Sequence, residues 1–290
     1  MATATQVNRP PGSVRPALSI ADIVSKGNDL PNRYALHAVE GFGKTSLGAH
    51  APKPIFIQTK GETGLETLIN ARRLKDTPHF PESQDWNSLL AAIDVLRTSD
   101  HDFKTVVIDT LNGAERLCHE HVCERDNGGS WESFLAYGKG PEIALADWRV
   151  FLNKCDDLRS ARKMMVFFLI HTKVKPFKNP TGADYDRYQP DMNDKTWGLS
   201  HKWADVVLFG NFSVTVTGQN MKEIVDTSKK GKGLGGKQRV IYTERDAAYD
   251  AKNRLGLPPE IDMGDSATDG WLNFSAAVKA AREIPQEAQQ

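Results

Sequence analysis

One short segment constrains this chain more than any other: Ala38-Val39-Glu40-Gly41-Phe42-Gly43-Lys44-Thr45, set between the apolar run Tyr34–Ala38 and a helical pattern over Thr45–Ala49. The segment fits the phosphate-loop pattern, with Ala where the first Gly often stands, and that pattern works only between a strand and a helix. Gly41 and Gly43 let the backbone curl so that its N–H groups converge on a phosphate. Lys44 would reach the β and γ oxygens, and Thr45 would hold Mg²⁺. Glu40, Gly41, Phe42, Gly43, Lys44, Thr45 and Ser46 are therefore the expected binding set for ATP.

The rest of the chain supplies the framework such a loop needs. Short β-rich runs alternate with longer helical ones: Pro54–Thr59 then Thr63–Arg73, Trp86–Arg97 then Thr105–Asp109. Leu111–Glu124 and Glu142–Arg159 read as long amphipathic helices, separated by the Gly-rich and aromatic loop DNGGSWESFLAYGKG. Met164–Ile170 is apolar throughout, as a central strand must be. Ala204–Phe209, Ser213–Thr217 and Arg239–Thr243 read as further strands in a hairpin arrangement at a sheet edge, and Trp271–Arg282 as a closing helix. Strands interleaved with helices predict an α/β fold, a mostly parallel sheet flanked by helices with a C-terminal β-hairpin edge.

At 290 residues the chain is long enough for one sizeable core without disulfide help. Residues 1–17 read as a disordered leader, 18–283 as the folded domain and 284–290 as a polar tail. Segments 172–200 and 218–238 read as mobile loops, because they lack periodicity and are rich in Lys, Gly, Pro and Asp. Three cysteines and no apolar leader favour a reducing, cytoplasmic setting. The longest apolar run is too short to cross a bilayer, so no membrane role is expected.

A metal held beside a phosphate needs a carboxylate at the end of a neighbouring strand, and Thr105-Val106-Val107-Ile108-Asp109 supplies one. Asp109 is the expected second Mg²⁺ residue by its order and spacing from Lys44; the other reading, an acid that caps the following helix, is weakened because Thr110 could cap it just as well. Cys118-His119-Glu120-His121-Val122-Cys123 superficially suggests zinc. On a helix Cys118 and Cys123 would lie about 140° apart around the axis, so packing is the better reading.

Lysines and arginines number 37 and so do aspartates and glutamates, so no global basic field exists and nucleic-acid contact would need local patches. Two are present. Residues 172–200 mix Lys173, Lys175, Lys178 and Arg187 with rings such as Phe177, diluted by four aspartates. From Lys222 to Arg239, six basic residues, among them Lys229, Lys230, Lys232 and Lys237, face two acids. Flexible cations of this kind can follow a DNA backbone without reading sequence.

The ordered set HAVEGFGKTSL, APKPIFIQT, FKTVVIDTLN, FFLIHTKVKPF, WADVVLF and DAKNRLGLP resembles a RecA-like P-loop NTPase core, most closely small phage ATP-binding proteins regarded as single-strand-annealing recombinases. The likeness spans about residues 30–260. It implies an ATPase that binds single-stranded DNA and promotes annealing or strand exchange as a homo-oligomer, ring or filament, with ATP sites between subunits. A phage nuclease or single-strand-binding protein would be its partner, and the host cytoplasm its location. A helicase-like or loader ATPase of the same fold is the nearest alternative, and a non-hydrolysing, nucleotide-gated scaffold the most distant.

The resemblance also implies roles. The strand after the phosphate-loop helix usually ends in a Glu that polarises the attacking water. This chain has Lys60 there, and Glu62 two residues later. Either Glu62 swings in as the base, or turnover is weak and nucleotide binding serves mainly as an assembly switch. His171 stands where relatives keep a polar γ-phosphate sensor. Lys252 and Arg254 resemble the pair that reaches a neighbouring subunit's γ-phosphate in RecA-fold hexameric helicases.

Overall fold

The computed structural model describes residues 19–23, 27, 29–217 and 232–283. In chain order the elements are β1 (Arg33–Ala38), α1 (Lys44–Ala49), β2 (Pro54–Gln58), α2 (Gly64–Asn70), α3 (Trp86–Thr98), β3 (Thr105–Asp109), α4 (Leu111–Asn127), α5 (Trp131–Leu135), α6 (Lys139–Ile143) and α7 (Leu145–Arg162). They continue as β4 (Met165–Phe177), β5 (Tyr185–Pro190), α8 (Asp194–Trp203), β6 (Val206–Thr217), β7 (Lys232–Tyr242), β8 (Lys252–Asn253), β9 (Glu260–Asp262) and α9 (Ala267–Glu283).

The sheet runs β2-β3-β4-β1-β6-β7-β9 among the described residues. Its first five strands are parallel. β7 and β9 are added antiparallel and form the expected hairpin edge. One strand, β4, therefore separates the phosphate-loop strand β1 from the Asp109 strand β3. This is the mostly parallel sheet flanked by helices that the alternation of strands and helices predicts.

Period-two alternation sorts the strands' side chains into two cores. Val166, Phe168 and Ile170 of β4 face α3, α4 and α7, where they meet Trp86, Leu89, Ile93, Leu117, Trp148 and Phe151. Phe167 and Leu169 face the other way, with Leu47 of α1, Leu65 of α2 and Phe274 of α9. Fully burying each such side chain is worth roughly 1.5–3 kcal/mol, which locks the register. Cys118, Cys123 and Cys155 are all buried in the first of these cores. Capping marks the helix starts: the Asp85 carboxylate accepts the Ser88 N–H ahead of α3, and the Thr110 hydroxyl accepts the Gly113 N–H ahead of α4.

Several expectations need correction. Segment 172–200 is not a loop: β4 continues through Phe177, pairs antiparallel with β5, and is followed by α8. This hairpin extends past the region where helices cover the sheet, so neither of its faces had to be apolar and the periodic signal vanished. The two edge strands expected at Ala204–Phe209 and Ser213–Thr217 are one strand, β6, irregular between Phe212 and Val214. Lys232 and Lys237, expected in a mobile loop, lie in β7. The Gly-rich stretch after α4 contains the short helix α5. The leader 1–17, the tail 284–290 and, of the basic segment, Lys222, Lys229 and Lys230 lie outside the described residues. No helix among the described residues is long and apolar enough to cross a membrane.

Candidate functional site

The phosphate loop joins β1 to α1, and its two glycines take the backbone where a side chain would strain it: φ is +73° at Gly41 and +97° at Gly43. A Cβ on Gly41 would meet nothing within 4 Å, so the loop is open on that side. Phe42 turns the other way. It is buried, and its ring lies so close to Gly210 of β6 that a Cβ there would sit 2.7 Å from it. Phe42 thus pins the loop to the neighbouring strand while Glu40 and Gly41 stay exposed.

Lys44 is only 8% exposed, and its ammonium donates to the loop's own carbonyls, Ala38 O at 3.1 Å and Val39 O at 3.5 Å. Burial lowers its pKa, against the opposing pull of Asp109, Glu62 and Glu40. Thr45, one residue on, donates its hydroxyl to Asp109 Oδ2 at 2.9 Å. Asp109 is 3% exposed, and burial pushes it up to about 6 despite the Thr45 hydrogen bond. Capping does not occupy it, because Thr110 performs that task. The Asp109–Thr110 peptide is cis.

The turn after β2 places Glu62 in the same cluster. Glu62 N donates to Thr59 O at 3.0 Å, Gln58 Nε2 donates to Glu62 O at 2.8 Å, and Gly61 takes a φ of +91°. This tight turn leaves the Lys60 side chain exposed. It carries the Glu62 carboxylate inward, where Oε1 accepts from the Thr110 hydroxyl at 3.0 Å and lies 3.3 Å from His171 Nε2. Burial opposes ionisation of Glu62, but His171, Thr110 and the charge of Lys44 together hold it below the usual carboxylate range. His171 is placed from both sides: its N–H donates to Asn112 Oδ1 at 3.2 Å, and its carbonyl accepts from Asp191 N at 2.8 Å.

Lys44, Thr45, Glu62, Asp109 and His171 thus come together from four separate chain segments. Gln58, Thr110 and Asn112 join them without having been singled out in the sequence. Gln58 and Asn112 carry only the weak signal of lying next to Thr59 or the Asp109 strand end.

The donor set fits a phosphate chain with Mg²⁺. Asp109 is a buried carboxylate whose ionised form lacks a full cationic partner, and the Thr45 hydroxyl beside it is the usual companion ligand. Among the described residues Lys44 has no hydrogen-bond partner beyond its own loop's carbonyls, which a phosphate oxygen can replace.

Other expected residues lie elsewhere. Lys252 lies in β8 and Arg254 directly follows it; β8 pairs with the first residues of β6, at the far end of the sheet from the loop of the same chain. The Lys252 ammonium donates to His201 O, Lys202 O and Ala204 O at 2.7, 3.3 and 2.5 Å, so it closes the C-terminus of α8. Arg254 is 55% exposed, with Asp205 at 3.9 Å.

The expected DNA-contact set on the hairpin is also changed. Arg187 is 5% exposed and pairs with Asp250 at 2.6 Å, so it is removed from that set as a buried structural cation. Lys173 pairs with Asp191, and Lys175 donates to Met192 O and Asp194 at 3.0 and 3.1 Å. Phe177 is occupied by Tyr185 and by the Arg187 guanidinium above its ring. Lys178 and Lys237 are exposed.

A family model described as an AAA domain matches residues 30–255. The crystal structure of the RadB recombinase is similar to this chain at 13% identity and a TM-score of 0.44, over 81% of this chain and 89% of that one. Among curated proteins none matches.

Proposed function

The chain belongs to the AAA-domain family, and on that premise we propose that it is an ATPase, dependent on Mg²⁺, that acts in phage-type DNA recombination. In this reading it binds single-stranded DNA and promotes annealing or strand exchange as a homo-oligomer. The observation that carries the catalytic part is the inward Glu62 carboxylate, held by Thr110 and facing His171 within the Lys44–Thr45–Asp109 cluster.

Each residue has a task that follows from its surroundings. Lys44 exchanges two loop carbonyls for phosphate oxygens. Thr45 and Asp109 would hold Mg²⁺, which when bound offsets phosphate charge. Glu62 is ionised, so it can orient an attacking water and accept its proton. Thr110 fixes the Glu62 carboxylate through one oxygen, and His171 relays its position to Asp191 at the base of the β4–β5 hairpin. The DNA part rests on the sequence resemblance and on the basic run around Lys229, Lys230 and Lys232.

A second reading has an observation in its favour. Three cations of the hairpin, Lys173, Lys175 and Arg187, are neutralised by Asp191, Asp194 and Asp250, and Lys195 pairs with Glu142 at 2.9 Å across the adjoining cleft. A surface so balanced suits a protein partner better than a phosphate backbone, which favours a nucleotide-gated scaffold.

Steady-state ATP turnover with and without single-stranded DNA, at two salt concentrations and with Lys44→Ala as background, separates the two. Salt-sensitive stimulation that disappears in Lys229→Ala/Lys230→Ala/Lys232→Ala supports the recombination reading. Turnover indifferent to DNA removes the recombination reading, and none above Lys44→Ala removes the ATPase and supports the non-hydrolysing scaffold.

A further inference from the structure

The phosphate loop is short of positive charge. Lys44 faces the carboxylates of Asp109, Glu62 and Glu40, and a nucleotide adds further negative charge. Lys252 is committed to the end of α8. A different cation reaches the loop from within the same chain. Arg239 sits on β7, paired with Phe212 of β6, and its side chain crosses back over the β1–α1 turn. Its Nη1 lies 3.1 Å from where a Cβ on Gly43 would stand and donates to Phe42 O at 3.4 Å; its Nη2 donates to Gly264 O at 3.2 Å.

Three features set this guanidinium apart from a structural arginine such as Arg187. It makes no ion pair among the described residues. The nearby Asp262 carboxylate is engaged by Gly264 N at 2.8 Å and Gln238 Nε2 at 2.9 Å. Its bond to the loop is at the long limit of hydrogen bonding, and among the described residues most of its five N–H donors are unspent. A planar fork of donors at the lip of a phosphate loop matches phosphate geometry. Sequence gave no hint of this placement, because Arg239 lies far along the chain at the end of a basic run and reads as one more member of it.

We propose that Arg239 is a nucleotide-binding residue acting in cis, its guanidinium taking a phosphate oxygen of a bound nucleoside di- or triphosphate on the β7 side of the loop. The proposal rests on the ATPase reading. It adds a second cation that needs no neighbouring subunit, so nucleotide affinity should not depend on oligomerisation.

The test compares MgADP and MgATP titrations of wild type, Lys44→Ala, Arg239→Gln and Arg239→Lys by calorimetry, with melting curves alongside. Glutamine can keep donors for the two carbonyls but removes the charge. The expected result is a loss of about tenfold or more in affinity for both nucleotides in Arg239→Gln, partial recovery in Arg239→Lys, and little change in melting temperature. On the wild type, ADP should slow phenylglyoxal modification of Arg239. Wild-type affinity in Arg239→Gln, or equal modification with and without ADP, overturns the proposal while leaving the ATPase reading intact, provided Lys44→Ala still weakens binding. A wild-type protein that binds neither nucleotide overturns both.

Discussion

Glu62 Oε1 and His171 Nε2 meet at 3.3 Å, although the two residues come from opposite sides of β3 in the sheet, one from the turn after β2 and the other from β4. The contact joins the proposed water-activating carboxylate to the strand that continues into the β4–β5 hairpin. Through Asp191 N and His171 O the hairpin's far strand is tied to the same point. A change at the nucleotide therefore has a short bonded route to a projecting hairpin.

Gly210 holds the loop in register through Phe42. A Cβ at position 210 would lie 2.7 Å from the Phe42 ring and 2.8 Å from Ala38 Cβ, and both neighbours are buried. Gly210→Ala should therefore cost about 1–3 kcal/mol of stability and weaken nucleotide binding as well. Urea denaturation with a nucleotide titration checks this; an unchanged midpoint would show that the contact is slack.

Buried Arg187 pairs with the partly exposed Asp250, and Trp197 Nε1 adds a bond to the same carboxylate at 3.4 Å. Removing the guanidinium leaves Asp250 without its main partner. Arg187→Ala should destabilise the fold by about 3 kcal/mol, read by urea denaturation. Single-stranded DNA affinity, measured below the variant's melting temperature, should stay at the wild-type level.

Lys252 and Arg254 should separate cleanly. Lys252→Ala strips three carbonyls at the end of α8 of their donor and should cost about 1 kcal/mol or more. Arg254→Ala, exposed and weakly paired, should stay within about 0.5 kcal/mol of wild type. If Arg254 serves a neighbour's nucleotide, mixing Arg254→Ala with Lys44→Ala subunits should restore part of the turnover that each lacks; no recovery in any mixture removes the role in trans.

Glu115, on α4 beside the hairpin base, gives a pH signature. Burial pushes it up to about 7 from its ordinary 4.5, outweighing hydrogen bonds from the Thr196 side chain and the Asn193 N–H. The folded chain then holds this proton more tightly than the unfolded chain. The stability it confers is complete below about pH 4.5 and declines as pH rises to about 7, with a slope of up to about 1.4 kcal/mol per pH unit. Denaturation across this range should show the decline, and Glu115→Gln should flatten it; equal slopes would mean that Glu115 ionises freely.

How much of this was readable beforehand depended on where apolar periodicity reached. Thr105–Asp109 and the start of α3 at Trp86 were legible to the residue, because both faces of one and one face of the other are pressed into the core. The phosphate loop was legible because backbone curvature there requires glycine. The β4–β5 hairpin was not, since it lies beyond the helical layers and alternates Lys, Pro and Tyr without an apolar face. Ion pairing such as Arg187 with Asp250 links residues 63 apart in sequence, and no local pattern announces it. Glu62 fell between the two cases: the sequence offered the acid but not the turn at Gly61 that brings it inward.

Whether Glu62 is the base is tested most directly by ATP turnover of Glu62→Gln, with nucleotide affinity measured on the same preparation and Lys60→Glu as companion. Glutamine keeps the size and the acceptor oxygen but cannot take a proton. Turnover should fall roughly 10²-fold or more with affinity little changed, with no large gain from Lys60→Glu, because Lys60 faces solvent. Wild-type turnover in Glu62→Gln, or a large rise in Lys60→Glu, would contradict this role and place the base elsewhere.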